Sequence, residues 1–513
     1  MLAQQFDVVI VGAGPAGCVL AARLSEDPRR RILLLDAGPD YGSTPAAWPA
    51  DLLDPHHSAV ESHSWGYHNA ATAGGNRVPL PRARVLGGCS AINACVWLRG
   101  SRADYDAWEA AGNPGWGWDD LLPCFMRAES YPFGDPGIHG QAGPVRIARV
   151  DEAAMARSHR ALFDVAAELG FPYADDLNDS ERQYPCYGRT PRNIVAGNRL
   201  NGALSYLAAA RDRENLTIRP DTLVDRLLLD ERAVTGVRTA SGQELLGREV
   251  VVCSGAYGSP AILLRSGIGP AQHLHDLGIA VAHELPGVGE HLLDHPFVAP
   301  YTTGLTLFPL RPGAESGRES FLQVTLKARS RQVDDEIDLI YFLRDHFDAP
   351  TGTWHYGLGL SLMYARSRGR VRLTSPDPEA PLDIDHNYFA DEADLEALCD
   401  GIELTQLLVT TPPLAGLLDI PRAELERLRD RETVKTILRE EVGTTFHPSS
   451  TCRMGPASDK AAVVDHTCRV HGLDGLRVVD ASIFPWGPRC NLHAPVVAVA
   501  ERAAEIMARD DEA

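Results

Sequence analysis

A chain of 513 residues is longer than one hydrophobic core usually serves, so two domains, or one large domain with a substantial insertion, are expected. Apolar residues make up 44% and charged residues 23%, which excludes a disordered or fibrous chain. The formal charge of −20, from 69 Asp and Glu against 49 Lys and Arg, argues against nucleic acid and anionic membrane surfaces as partners.

The ten cysteines form no CxxC pair and no Cys/His spacing suggests zinc, so neither a metal nor a disulfide scaffold is predicted. "MLAQQ" passes straight into an apolar strand with no basic leader or cleavage site, and nowhere do about 18 apolar residues run unbroken. A cytoplasmic protein with no membrane contact is the expectation.

"FDVVIVGAGPAGCVLAARLSEDPRRRILLLDAGP", residues 6–39, reads as a buried strand, a glycine turn, a helix and a second strand ending at Asp36. Gly12, Gly14 and Gly17 stand in G-x-G-x-x-G spacing: the first allows a tight turn, the second a close approach of pyrophosphate, the third close helix–strand packing. The free N–H groups of the helix start, around Ala16, favour an anion. Asp36, with Ala37 beside it, ends the second strand where a carboxylate can accept hydrogen bonds from ribose hydroxyls.

Residues 81–108, "PRARVLGGCSAINACVWLRGSRADYDAW", join a basic, Pro-rich stretch to a turn at Leu86–Gly88 and then to a run of small residues. Such a run lets a flat ring lie on the backbone, with the main-chain N–H groups of Asn93, Ala94, Cys95 and Val96 within reach of its heteroatoms.

With these motifs, the chain resembles the glucose–methanol–choline (GMC) family of FAD-dependent oxidoreductases. The likeness extends to "GAYGSPAILLRSGIGP" (255–270), "LPGVGEHLLDHP" (285–296), "HPSSTCRMG" (447–455) and "LRVVDASIFPWGPRCNLHAPVVAVAERAAEIM" (476–507). It implies an α/β fold: a Rossmann-like FAD-binding domain from 1–150, 215–300 and 456–513, with an inserted α+β substrate domain from 151–214 and 301–455. Two stretches, 324–329 and 366–389, carry the alternation of antiparallel strands. A helix is expected to start near Ser259–Pro260 after a strand and a turn at Ser254–Gly255, and another to follow Asp480–Ala481 with its N-terminus toward the flavin.

Among 18 histidines, His447 matches the family's catalytic imidazole and His493 its second active-site position. An imidazole with an ordinary pKa near 6.5 suits removal of an alcohol proton at neutral pH. The resemblance implies that His447 is the base, that His493 hydrogen-bonds the developing alkoxide, and that Asn491 or the region of Asn93 positions flavin or substrate. It further implies FAD contacts at Val224, Ser254, Gly255, Asp480, Ala481 and Pro495. Phe446, Trp97 and Trp486 are candidates for the pocket wall, and His291 and His295 read as structural. Relatives that bind FAD covalently do so through a histidine in "SSHN"; here "SAIN" puts Ile92 at that place, so noncovalent FAD is expected. The reaction implied is oxidation of an alcohol, with O2 or another electron acceptor as the second partner. Lyases and a light-driven decarboxylase share the family and are the alternatives.

Overall fold

The computed structural model describes residues 6–70, 77–179, 184–299, 304–314 and 320–510. The first sheet opens with β1 (Phe6–Val11), helix α1 (Pro15–Leu24) and β2 (Ile32–Leu35). Four strands follow much later: β3 (Leu216–Arg219), β4 (Val224–Asp230), β5 (Ala233–Thr239) and β6 (Glu244–Val252). After helix α2 (Gly255–Arg265), strand β7 (Leu476–Val478) completes the sheet, and helix α3 (His493–Asp510) packs against α1.

The spatial order is β3-β2-β1-β6-β5-β4, with β7 also on β6. Pairing is parallel among β3, β2, β1, β6 and β7, while β4 and β5 form an antiparallel extension on the first half of β6. The strands β1 and β2 are nearly unbroken apolar runs because helices or further layers cover both faces of a parallel sheet.

The helix expected to begin at Ser259–Pro260 begins at Gly255 instead, and Pro260 lies inside it. Proline has no N–H to give the carbonyl of Ala256, four residues back. The hydroxyl of Thr451 donates to that carbonyl at 2.7 Å, so the interruption costs no orphaned acceptor.

The second sheet is antiparallel and also has seven strands. Its path runs through 443–444, 296–298, 353–362, 339–348, 320–328 and 186–189, with 307–309 beside 353–362. Helices Arg157–Glu168 and Glu392–Thr410 cover one face. Period-two alternation along Leu339–Asp348 sends Tyr341 and Leu343 into that helix-covered core and Phe342 and Arg344 to the opposite side. Of the two stretches expected to be antiparallel, 324–329 falls on this sheet. The other, 366–389, pairs with Glu290–Leu292 in a separate three-stranded sheet. Pro296–Val298 already belongs to the second sheet, a few residues before the expected change of domain at 300. Among the described residues no helix is long and apolar enough to cross a membrane.

Candidate active site

A cavity of about 550 Å³ lies between the carboxyl ends of the first sheet's parallel strands and the open face of the second sheet. At the first end the walls are main chain. Gly12, at φ +102°, turns the chain out of β1, and a Cβ at Gly17 would stand 1.9 Å from the carbonyl oxygen of Gly12, so strand and helix meet at a distance only glycine allows. The N–H of Cys18 closes the first helical turn onto Gly14 at 2.9 Å, leaving the earlier N–H groups of α1 directed along its axis toward the cavity. Gly88 reaches across, where a Cβ would lie 2.7 Å from Cα of Gly14.

Two carboxylates end strands here and brace the turns. Asp36 accepts the N–H groups of Ala13 and Gly38, both at 2.8 Å. Asp480 accepts the N–H of Gly255 at 2.8 Å and of Ser482 at 2.7 Å, and the hydroxyl of Ser259 at 2.5 Å. Burial lifts Asp36 to about 6 and also raises Asp480, against those hydrogen bonds.

At the other end the walls are side chains. Phe446 adopts φ +62°, uncommon for a bulky residue. The conformation is held on three sides: its N–H donates to Oγ1 of Thr444 at 2.6 Å, its carbonyl accepts from Nη1 of Arg82 at 3.0 Å, and the next N–H, of His447, donates to Oδ1 of Asp294 at 2.9 Å. The His447 ring is thereby aimed. Its Nδ1 lies 2.9 Å from Nδ1 of His295 and its Nε2 lies 3.3 Å from Nδ2 of Asn491. Burial, then the neighbouring His295 and Arg82, hold His447 well below the usual imidazole range, so it is neutral at physiological pH. His493 opens helix α3, packs edge-on against Trp97 at 5.3 Å, and is pushed down to about 4 by burial.

The donor set fits a dinucleotide with a flat redox ring. Gly12, Gly14 and Ala16 offer an anion site. The cavity also runs past Asn491 and His493, whose Oδ1 and Nδ1 are buried with no partner among the described residues. Among those residues no group of three or more His, Cys, Asp or Glu could hold a metal ion.

Models of the GMC oxidoreductase family match the chain twice, the N-terminal part over residues 6–297 and the C-terminal part over 365–500. The chain belongs to the GMC oxidoreductase family. It is 34% identical to the oxygen-dependent choline dehydrogenase of Photobacterium profundum, over 98% of this chain and 92% of that one. It is also 34% identical to human mitochondrial choline dehydrogenase, over 98% and 90% of the two chains. Among solved structures, pyridoxine 4-oxidase from Mesorbium loti superposes with a TM-score of 0.86 at 32% identity, covering 98% of this chain and 99% of that one. This GMC oxidoreductase therefore carries out FAD-dependent oxidation of CH–OH donors, and an alcohol and an electron acceptor are its partners.

Most of the residues singled out in the sequence meet at the one cavity: Gly12, Gly14, Ala16, Asp36, Ala37, Gly88, Asn93, Ala94, Val96, Val224, Ser254, Gly255, Asp480, Ala481, Asn491, His447 and His493. Four are not on its wall. Gly17 supports the turn from behind, Leu86 is core, Cys95 is buried at φ +62° with its N–H on Oδ1 of Asn93 at 2.9 Å, and Pro495 sits buried in the first turn of α3. Phe446 and Ile92 line the GMC cavity, whereas Trp97 is buried behind His493 and Trp486 is not on the wall. The sequence reading missed Arg82, Phe297, Phe321, Phe342 and Arg344 on the wall, and His295 against the His447 ring. Alternation in 339–348 was the available signal for Phe342 and Arg344; nothing local marked His295.

Proposed function

We propose that this GMC oxidoreductase oxidises an uncharged aromatic primary alcohol, with His447 removing the hydroxyl proton. The observation that carries the reading is the orientation of His447: its Nδ1 is taken up by His295, which leaves Nε2 beside Asn491 as the lone pair available to a substrate in the cavity. His493 hydrogen-bonds the oxygen as negative charge develops there. Gly12, Gly14 and Ala16 would hold the FAD diphosphate, Asp36 a ribose, Val224 the adenine, and Asp480 with Ala481 the ribityl chain, while the 93–96 backbone and the start of α3 face the ring. FAD bound there supplies the hydride acceptor.

Phe297, Phe321 and Phe342 form the substrate wall, with the guanidinium of Arg344 beside them. A neutral aromatic ring packs against the phenyl groups, and none of the described residues on this wall is an acid that would hold a fixed cation such as choline, on which the curated relatives act by name. Among the described residues, the two acidic ones that line the cavity, Asp36 and Asp480, sit at the nucleotide end. Ile92 on the wall has no atom that can bond to the flavin, which supports noncovalent FAD.

A panel of alcohols mixed anaerobically with the enzyme tests the substrate. Benzylic alcohols are expected to bleach the flavin and choline to leave it yellow; the reverse would overturn the assignment, and a flavin left oxidised by every turned-over substrate would indicate lyase chemistry. On acid precipitation the yellow colour is expected in the supernatant.

A further inference from the structure

The segments around residues 293–297 and 443–449 are zipped together. Leu293 and Ser449 exchange backbone hydrogen bonds at 3.1 and 2.8 Å, the N–H of Thr445 donates to the carbonyl of His295 at 3.0 Å, and Pro296 and Phe297 pair with Thr444 and Gly443. This ladder sets the side chains of Asp294 and His295 directly behind His447. Oδ1 of Asp294 accepts the N–H groups of His295 at 2.8 Å and His447 at 2.9 Å. Its Oδ2 accepts the Tyr388 hydroxyl at 2.7 Å and the Thr444 hydroxyl. The backbone of His447 is thus held by Asp294 and its ring by His295.

Two Nδ1 atoms 2.9 Å apart require that one carry a proton and the other accept it. If His295 donated, Nε2 of His447 would carry the ring's one N–H proton and point it at the alcohol, where it can remove nothing. It would also oppose the Nδ2 group of Asn491, a donor, at 3.3 Å. If His447 donates, both contacts are satisfied and Nε2 is unprotonated, its lone pair meeting only the long 3.3 Å contact from Asn491, which a substrate hydroxyl can replace.

We propose that His295 is a positioning residue that accepts the Nδ1 proton of His447, fixing the tautomer whose Nε2 can take the substrate hydroxyl proton. The proposal rests on His447 being the base. When Nε2 takes the proton, the imidazolium charge is stabilised through the same Nδ1–H bond to a neutral ring, as outer partners do for other reactive histidines. His295 is suited to stay neutral because it is fully buried and held down to about 4.

The test compares the holoenzyme with His295→Leu, which fills the space without an acceptor, His295→Asn, whose amide oxygen can replace Nδ1, and His447→Ala. Anaerobic flavin reduction is followed at saturating alcohol, and ring tautomers are read by 15N NMR on histidine-labelled protein. The leucine variant is expected to lower the limiting rate about 10–100-fold with little change in alcohol affinity, and asparagine to restore it to within about three-fold of the parent. The His447 signal, identified by its loss in His447→Ala, is expected in the Nδ1–H form in the parent and to shift toward Nε2–H in the leucine variant. Parent-like rates in His295→Leu, or an Nε2–H signal in the parent, would overturn the proposal, and the parent spectrum decides alone if the leucine variant loses its flavin. Rapid flavin reduction by His447→Ala would instead overturn the base assignment. A slow His447→Ala beside a fast His295→Leu would remove only the positioning role.

Discussion

At the nucleotide end of the cavity the main chain makes the surface, and at the reactive end side chains do. The surface of the glycine turn from Gly12 to Gly17 comes from one βα junction, made by N–H groups and the absence of Cβ atoms, although Asp36 and Gly88 brace it from outside. The imidazole of His447 instead depends on Asp294, His295, Thr444, Arg82 and Asn491, drawn from four separate stretches of chain. A backbone site is specified by spacing. A side-chain site is specified by which segments the two sheets bring alongside.

The contrast can be broken at either end. The largest effect is expected for His447→Ala: flavin reduction should fall about 1000-fold while bound FAD is retained, measured by anaerobic stopped-flow against cofactor content. Gly12→Ala should do the opposite. A Cβ there would stand 2.6 Å from the Cys253 carbonyl oxygen at φ +102°, so FAD retention should weaken about 100-fold, while molecules that keep FAD reduce it at the parental rate.

A smaller change is expected on the substrate wall. A Cβ at Gly359 would lie 2.5 Å from the outer edge of the Phe297 ring, which must swing aside. Gly359→Ala should raise KM about ten-fold and leave kcat within about three-fold.

The smallest expected effect is that of pH. The proposed base role needs His447 neutral, and burial with His295 and Arg82 nearby favours that form to well below the usual imidazole range; Asp294 faces it only through the backbone N–H. Flavin reduction should therefore change by under about 20% from pH 8 to pH 6, where an ordinary imidazole with pKa near 6.5 would lose about three quarters of its activity.

Much of this was legible in the chain. Gly12 and Gly14 of the G-x-G-x-x-G spacing, Asp36 at its strand end, and Asn93, Ala94 and Val96 all lie on the cavity, since each motif carries its own geometry. The start of α2 was not legible, because Pro260 reads as a first-turn residue unless the Thr451 hydroxyl is known to satisfy Ala256. Nor was the fate of 366–389: alternation marks a strand able to pair but says nothing of its partner. Asp36 and Asp480 were read as ligand contacts, and both prove also to brace the turns they end. His295 looked structural because its meaning lies entirely in a contact with a residue 152 positions away.

The amino-acid sequence by itself determined the phosphate-binding turn and the parallel strands around it, because short-range spacing and apolar runs dictate local backbone shape; the two imidazoles were singled out only by the family resemblance. Only the tertiary structure decided which nitrogen of His447 meets His295 and which meets Asn491, what lines the cavity, and which carboxylate holds the loop. Those depend on side chains meeting across two sheets, and no local pattern encodes a distance between segments that pair only after folding.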